Sequence, residues 1–127
     1  MIGGERMNFQ IETIDHIQLA APLGTEDEAR KFYEMLGFEE VEKPPLLRGN
    51  GGVWFQTGSI NLHIGIEESF IPSAKAHPAF QVLNIDGLID MLNSRGVTVN
   101  PDEKLPGARR FYISDPFGNR LEFLEWD

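Results

Sequence analysis

Hydrophobic and polar residues alternate along several short stretches of the chain, which is typical of half-buried β-strands. The clearest example is SINLHIGIE at 59–67, which places Ile60, Leu62, Ile64 and Ile66 on one face and polar residues on the other. Turn residues such as the Pro/Gly segment DPFGN separate these stretches. The pattern predicts strands at 13–20, 38–42, 51–58, 59–67, 77–85, 97–100, 108–114 and 120–126.

Two stretches instead have the spacing of amphipathic helices. In TEDEARKFYEMLGF, Thr25 is suited to cap a helix whose first turn is acidic, and Gly37 is suited to end it. The second stretch, DGLIDMLNSRG at 86–96, is predicted to be capped by Asp86 and ended by Gly96.

The order of these elements occurs twice along the chain. Each half is predicted as β-α-β-β-β, with the first module at about 11–67, the second at about 77–127 and a linker at 68–76. We therefore expect an α+β fold in which both modules build one cupped mixed sheet within a single domain spanning 1–127. Residues 1–8 are expected to be a disordered lead-in.

Composition narrows the classes of function. The chain has 127 residues and a net charge of −9, which argues against a nucleic-acid partner. It has no cysteine, so disulfides, cysteine-type zinc sites and a cysteine nucleophile are excluded. No apolar run is long enough for a membrane helix, and the N-terminus lacks the apolar stretch of a signal peptide. We expect a cytoplasmic protein without a membrane partner.

All three histidines fall on the strand faces turned away from the helices. His16 and His77 belong to the predicted first strand of each half, whereas His63 and Glu122 lie in the last strand of each half. A polar, solvated sheet face accounts for any one of them alone. The matching positions in the two halves favour a site in which two curled halves bring the four side chains together.

The chain resembles the vicinal oxygen chelate superfamily, which includes glyoxalase I, fosfomycin-resistance transferases, extradiol dioxygenases and bleomycin-binding proteins. The resemblance covers about residues 11–126. It rests on four segments, of which the last is the most specific: IDHIQLAAP, ARKFYEMLGF, HPAFQVLNID and FYISDPFGNRLEFLE.

The resemblance implies a divalent metal held by His16, His63, His77 and Glu122, with Glu122 also the catalytic base. Glu125 is the competing carboxylate, but its strand phase points it away from the other three. Three imidazoles and one carboxylate suit Zn, Ni, Fe or Mn, and the ligand set does not choose among them. In glyoxalase I the place of His63 holds a carboxylate, so this chain departs from that pattern.

Two functions follow from the resemblance. The first is a metal-dependent lyase, isomerase, transferase or dioxygenase-like enzyme acting on a small oxygenated substrate that chelates the metal. The second is a metal-free protein of the bleomycin-resistance type that binds a drug or metabolite.

Family members commonly pair, so the resemblance also implies a homodimer. Five residues are predicted to contact the small molecule: Gln18, Trp54, Gln81, Arg110 and Tyr112.

Overall fold

The computed structural model describes residues 8–127, so most of the predicted lead-in at 1–8 lies outside the described residues. This part of the chain contains two helices and eight strands, with a short 3-10 turn at Pro45–Asn50. In chain order they are β1 (Ile17–Pro22), α1 (Glu26–Met35), β2 (Glu39–Val41), β3 (Val53–Thr57), β4 (Ile60–Glu67), β5 (Ala79–Gln81), α2 (Ile85–Ser94), β6 (Asn100–Asp102), β7 (Ala108–Ser114) and β8 (Arg120–Trp126). No helix within residues 8–127 is long and apolar enough to cross a membrane.

The strands form two four-stranded mixed sheets with the same internal order. The first sheet is β1-β4-β3-β2 and the second is β5-β8-β7-β6. In each sheet the first and last strands of the module are parallel, and the remaining pairs are antiparallel. The predicted α+β fold with two βαβββ modules is confirmed, although the strands form two separate sheets instead of one.

Both helices end as predicted, but they begin differently. Gly37 and Gly96 have φ values of 97° and 74°, a left-handed conformation that glycine adopts without a steric penalty. The Thr25 hydroxyl donates to the Pro22 carbonyl and leaves the first turn of α1 uncapped by a side chain. The cap of α2 is Asn84, whose side chain accepts from the Gly87 amide, so the prediction of Asp86 as the cap is wrong.

One hydrophobic core joins the two sheets and the two helices. Leu62 and Ile64 face it from the first sheet, and Leu121 and Phe123 occupy the matching strand of the second. Phe38 and Phe80, one from each module, meet edge to face with ring centroids 5.9 Å apart. Because the aliphatic rows of both sheets are used in this core, the polar faces of the sheets are turned outwards.

The DPFGN turn between β7 and β8 fastens the second module to the first. The buried Asp115 carboxylate accepts the Tyr33 hydroxyl of α1 at 2.7 Å and the backbone amides of Phe117 and Asn119. Asn119 in turn donates to the Ala20 carbonyl of β1 at 2.7 Å. Buried polar groups that are satisfied in this way specify one arrangement of the two modules.

Candidate metal and substrate site

The first module presents a stack of three aromatic rings on its outer sheet face. His63 lies in the middle strand β4, where register places it between Gln18 of β1 and Trp54 of β3. Its imidazole is parallel to the Trp54 indole at 3.8 Å between centroids and stacks on His16 at 4.3 Å from the other side. Both nitrogens of the His63 imidazole lie in the plane of that ring, so neither of them points at the Trp54 or the His16 ring.

His63 is nearly buried in this stack. Burial, and then the neighbouring His16, lower the pKa of the His63 imidazole below its usual value. At neutral pH the ring is consequently uncharged and keeps a nitrogen lone pair, which is the form of histidine that binds metals.

The second module presents a hydrogen-bonded pair, His77 and Glu122. His77 Nε2 lies 2.8 Å from Glu122 Oε1, and His77 Nδ1 lies 2.6 Å from the Lys75 carbonyl oxygen. A carbonyl oxygen only accepts hydrogen bonds, so Nδ1 carries a hydrogen. Nε2 and the carboxylate then require either a second proton or a cation between them.

Three further side chains surround this pair. Arg110 Nη1 is 3.5 Å from Glu122 Oε2, and the same guanidinium is held by Asp102 at 3.2 Å. Tyr112 meets the His77 ring edge to face at 5.3 Å. Burial and the Glu122 carboxylate raise the pKa of the Tyr112 phenol, which keeps it protonated.

The two pairs occupy equivalent places in the two sheets. In the first sheet His63 is flanked by Gln18 and Trp54, and in the second Glu122 is flanked by Ala79 and Tyr112. His16 and His77 each precede the flanking residue of the parallel strand by two positions. The internal repeat predicted from the sequence therefore extends to the register of the four candidate side chains.

The four predicted ligands form two separate pairs, His16 with His63 and His77 with Glu122. Within residues 8–127, no three histidine, aspartate or glutamate side chains lie close enough together to hold one metal ion. Within one chain, residues 8–127 therefore do not bring all four side chains to a common point.

Glu125 has a different role from Glu122, as its strand phase predicted. Its two carboxylate oxygens accept the backbone amides of Asn84 and Ile85, each at 3.0 Å, at the start of α2. A carboxylate at this position satisfies helix amides that would otherwise lack partners and interacts favourably with the helix dipole. Glu125 is therefore occupied as a helix cap on the side of the sheet opposite Glu122.

Two of the five predicted substrate residues line a cavity beside the histidine stack. Gln18 and Trp54 border a space of about 260 Å³ that also includes His63 and Lys43. Lys43 donates from Nζ to the Gly51 carbonyl in the loop that covers this cavity. Arg110 and Tyr112 lie beside Glu122 instead, whereas Gln81 is an exposed residue of β5.

A larger cavity of about 610 Å³ separates β1 from β5 and is covered by the linker at 68–76. Gln18 and His77 both border it, together with Arg120. Arg120 and Lys43 were not among the predicted site residues. The signal for Arg120 is its place two residues before Glu122 on the same strand, which puts both side chains on one face.

Comparison with known proteins agrees with this architecture. The family model of the Glyoxalase/Bleomycin resistance protein/Dioxygenase superfamily matches residues 13–123. A comparison with curated protein sequences finds no match.

Several solved structures are similar to the chain. A glyoxalase family protein from Bacillus anthracis is 50% identical, with a TM-score of 0.92 over 95% of this chain and 100% of that one. The glyoxalase family protein from Enterococcus faecalis is 29% identical, with a TM-score of 0.72 over 90% and 98%. The fosfomycin resistance protein FosX from Listeria monocytogenes, at 17% identity, has a TM-score of 0.73 over 93% and 96% and supports the fold alone. The chain belongs to the Glyoxalase/Bleomycin resistance protein/Dioxygenase superfamily.

Proposed function

We propose that the protein is a metal-dependent enzyme that acts on a small oxygenated molecule, in a lyase, isomerase or transferase type of reaction. The observation that carries the proposal is the repetition of a histidine-led pair at the same register in both sheets. Polar residues that merely face solvent on two sheets would not be expected to repeat this arrangement at the same register.

The side chains fit a divalent metal as two halves of a site. Three imidazoles and a carboxylate are the donors that zinc, nickel, iron and manganese accept. The contact of His77 Nδ1 with the Lys75 carbonyl supports this role, because metal-binding histidines usually donate their other ring hydrogen to such an acceptor. A neutral His63 supports it in the first half.

A second copy of the chain is needed to complete the site. The polar faces of the two sheets turn away from one shared core, so each chain offers two incomplete halves. We propose a homodimer in which His16 and His63 of one copy meet His77 and Glu122 of the other. Exposed apolar side chains near the polar faces, including Ile14 at 76% and Ile71 at 84%, are suited to a subunit interface.

Within this site Glu122 is the residue we assign to proton transfer. Its Oε1 is engaged by His77, and its Oε2 is the oxygen available to take a proton from a substrate carbon. Arg110 Nη1 lies 3.5 Å from Oε2 and places a positive charge beside that oxygen. A bound divalent metal would supply Lewis acidity toward two adjacent substrate oxygens.

We also propose that both modules act as one domain, because they share a single core.

The experiment is metal analysis of protein purified without a chelating resin, followed by assay with methylglyoxal and a thiol as one test substrate. Stoichiometric bound metal supports the enzyme, and absence of any rate above background with this substrate removes glyoxalase activity alone. Protein that remains empty after equilibration with Zn²⁺, Ni²⁺, Mn²⁺ and anaerobic Fe²⁺ contradicts the proposal.

A metal-free protein that binds a drug or metabolite is the second candidate. The flat stack of Trp54, His63 and His16 favours it, since such a surface can hold a planar ligand by stacking without a metal. Under this candidate a planar aromatic ligand quenches tryptophan fluorescence in protein treated with EDTA, and Trp54→Ala abolishes the effect. Trp126, half exposed at the end of β8, serves as the control position.

A further inference from the structure

Arg120 occupies a defined place beside the proposed active site. It begins β8, two residues before Glu122, and its guanidinium carbon lies 4.0 Å above the centre of the Tyr112 ring. The same Tyr112 ring contacts His77 edge to face. Arg120 and His77 also border the 610 Å³ cavity between β1 and β5. The Tyr112 ring thus holds the Arg120 guanidinium next to His77 and Glu122.

The charge of Arg120 is not matched by a carboxylate. Within residues 8–127 it makes no salt bridge within 4.0 Å and no side-chain hydrogen bond, although the chain has 20 acidic and 11 basic residues. Arg110, its neighbour over the same ring, is paired with both Asp102 and Glu122. An arginine stacked on an aromatic ring keeps its N–H donors at the edge of the plane, where they can bind a carboxylate or phosphate by two hydrogen bonds.

The walls of the cavity indicate what else the ligand contains. Ile17 and Leu19 of β1 and Phe70 of the linker supply apolar surface to the cavity that Arg120 borders. Glu67, at the far end of β4, also borders the cavity, but it is exposed and forms no salt bridge with Arg120. A neutral or cationic ligand would leave Arg120 without a partner, whereas an anionic ligand with an apolar body would match both surfaces.

We propose that Arg120 is the binding residue for an anionic headgroup, and that the substrates are small molecules joining an apolar body to a carboxylate, phosphonate or phosphate. The proposal rests on the proposed function in that the headgroup site lies beside His77 and Glu122. Arg120 would bind the charged end of the substrate, and the oxygenated carbons of the substrate would then face His77 and Glu122.

The test uses full-length protein freed of metal by EDTA, so that only the headgroup contact is measured. Phenylacetate and phenylphosphonate are the anionic probes, and 2-phenylethanol is the neutral control of similar shape. Binding is followed by amide chemical shifts in ¹H–¹⁵N spectra. We expect both anions to shift residues of β5 and the start of β8, and to bind at least about tenfold more weakly to Arg120→Gln.

Two further variants make the result specific. Arg120→Lys should recover part of the affinity because it keeps the charge and loses the two-point geometry. Glu67→Gln, which removes a charge from the same cavity, should leave anion binding unchanged or tighten it. Unchanged affinity of both anions for a folded Arg120→Gln, or anions that bind no better than 2-phenylethanol, overturns the proposal.

The outcome is separable from that of the proposed function. Anion binding that depends on Arg120 in a protein that takes up no metal would support the headgroup site and contradict the metal-dependent enzyme. Full metal content without anion binding would support the metal-dependent enzyme and contradict the headgroup site.

Discussion

His77 Nε2 lies 2.8 Å from Glu122 Oε1, although 45 positions separate the two residues in the sequence. The parallel pairing of β5 with β8 brings them together, and the Lys75 carbonyl fixes the hydrogen on the other imidazole nitrogen. The arrangement leaves a nitrogen lone pair and a carboxylate oxygen aimed at each other, which a proton or a metal ion can bridge.

Replacement of Glu122 should therefore impair metal binding. Glu122→Gln removes the charged ligand and is expected to weaken metal affinity by at least about tenfold, since an amide is a poorer donor for these ions. The measurement is competition of Zn²⁺ against a coloured chelator. The matched control is Glu125→Gln, the same chemical change three residues along β8, which should retain wild-type affinity. Equal affinity in both variants would contradict the assignment of Glu122.

Glu125→Gln should have an effect of its own on stability. The carboxylate of Glu125 accepts the amides of Asn84 and Ile85 at the start of α2. Loss of the charge and of one acceptor is expected to lower the free energy of unfolding by about 0.5–2 kcal/mol, the usual value of a helix cap. Urea denaturation followed by circular dichroism measures it. A variant as stable as the wild type would show that the cap contributes little.

Tyr33→Phe should loosen the attachment of the two modules. The hydroxyl donates to the buried carboxylate of Asp115 at 2.7 Å, and its loss leaves that carboxylate with one donor fewer. We expect a decrease of about 1–3 kcal/mol in the free energy of unfolding. Phe32→Leu, at the neighbouring and less buried position of α1, serves as a packing control. The hydroxyl contact is unimportant if Tyr33→Phe unfolds at the wild-type urea concentration.

The same tyrosine predicts a loss of stability at alkaline pH. Burial, and then the Asp115 carboxylate, hold the pKa of Tyr33 well above its usual value. The protonated phenol is thus favoured by folding, and its contribution is complete below the unfolded pKa of about 10. The contribution disappears as pH rises from there toward the folded pKa.

Wild-type stability should consequently fall above about pH 10, and Tyr33→Phe should show a shallower fall. The residual slope in the variant is expected from Tyr112, whose pKa is also raised by burial and by Glu122. Thermal unfolding between pH 8 and 11 provides the measurement. Parallel curves for the two proteins would mean that Tyr33 does not titrate as described.

Alternation along the strands was sufficient to predict much of the architecture. The aliphatic row from Leu62 to Ile64 identified the core face of β4, and the two helices end at the predicted glycines Gly37 and Gly96. The same alternation separated Glu122 from Glu125, because adjacent faces of β8 receive residues of opposite parity. These features are local, so a single sequence specifies them.

Features that depend on tertiary contacts were not predictable in the same way. The cap of α2 moved from Asp86 to Asn84 because Asn84 adopts a left-handed conformation at φ 60°, stabilised by Glu125 from a strand 41 positions away. His16 and His77 were predicted within the first strand of each half, but they lie just before β1 and β5, and the relative orientation of the modules depends on the contacts of Tyr33 and Asp115. Sequence spacing carries no information about that orientation.

The most direct test of the account is complementation between two inactive variants. One carries His16→Ala and His63→Ala, the other carries His77→Ala and Glu122→Gln, and each alone should bind no metal at the proposed site. Dimers reassembled from an equal mixture should recover about a quarter of the wild-type metal content, because half are mixed and each mixed dimer has one intact site of two. A mixture that binds no more metal than its parents, although mixed dimers are detected by mass spectrometry, would contradict a site built between two copies of the chain.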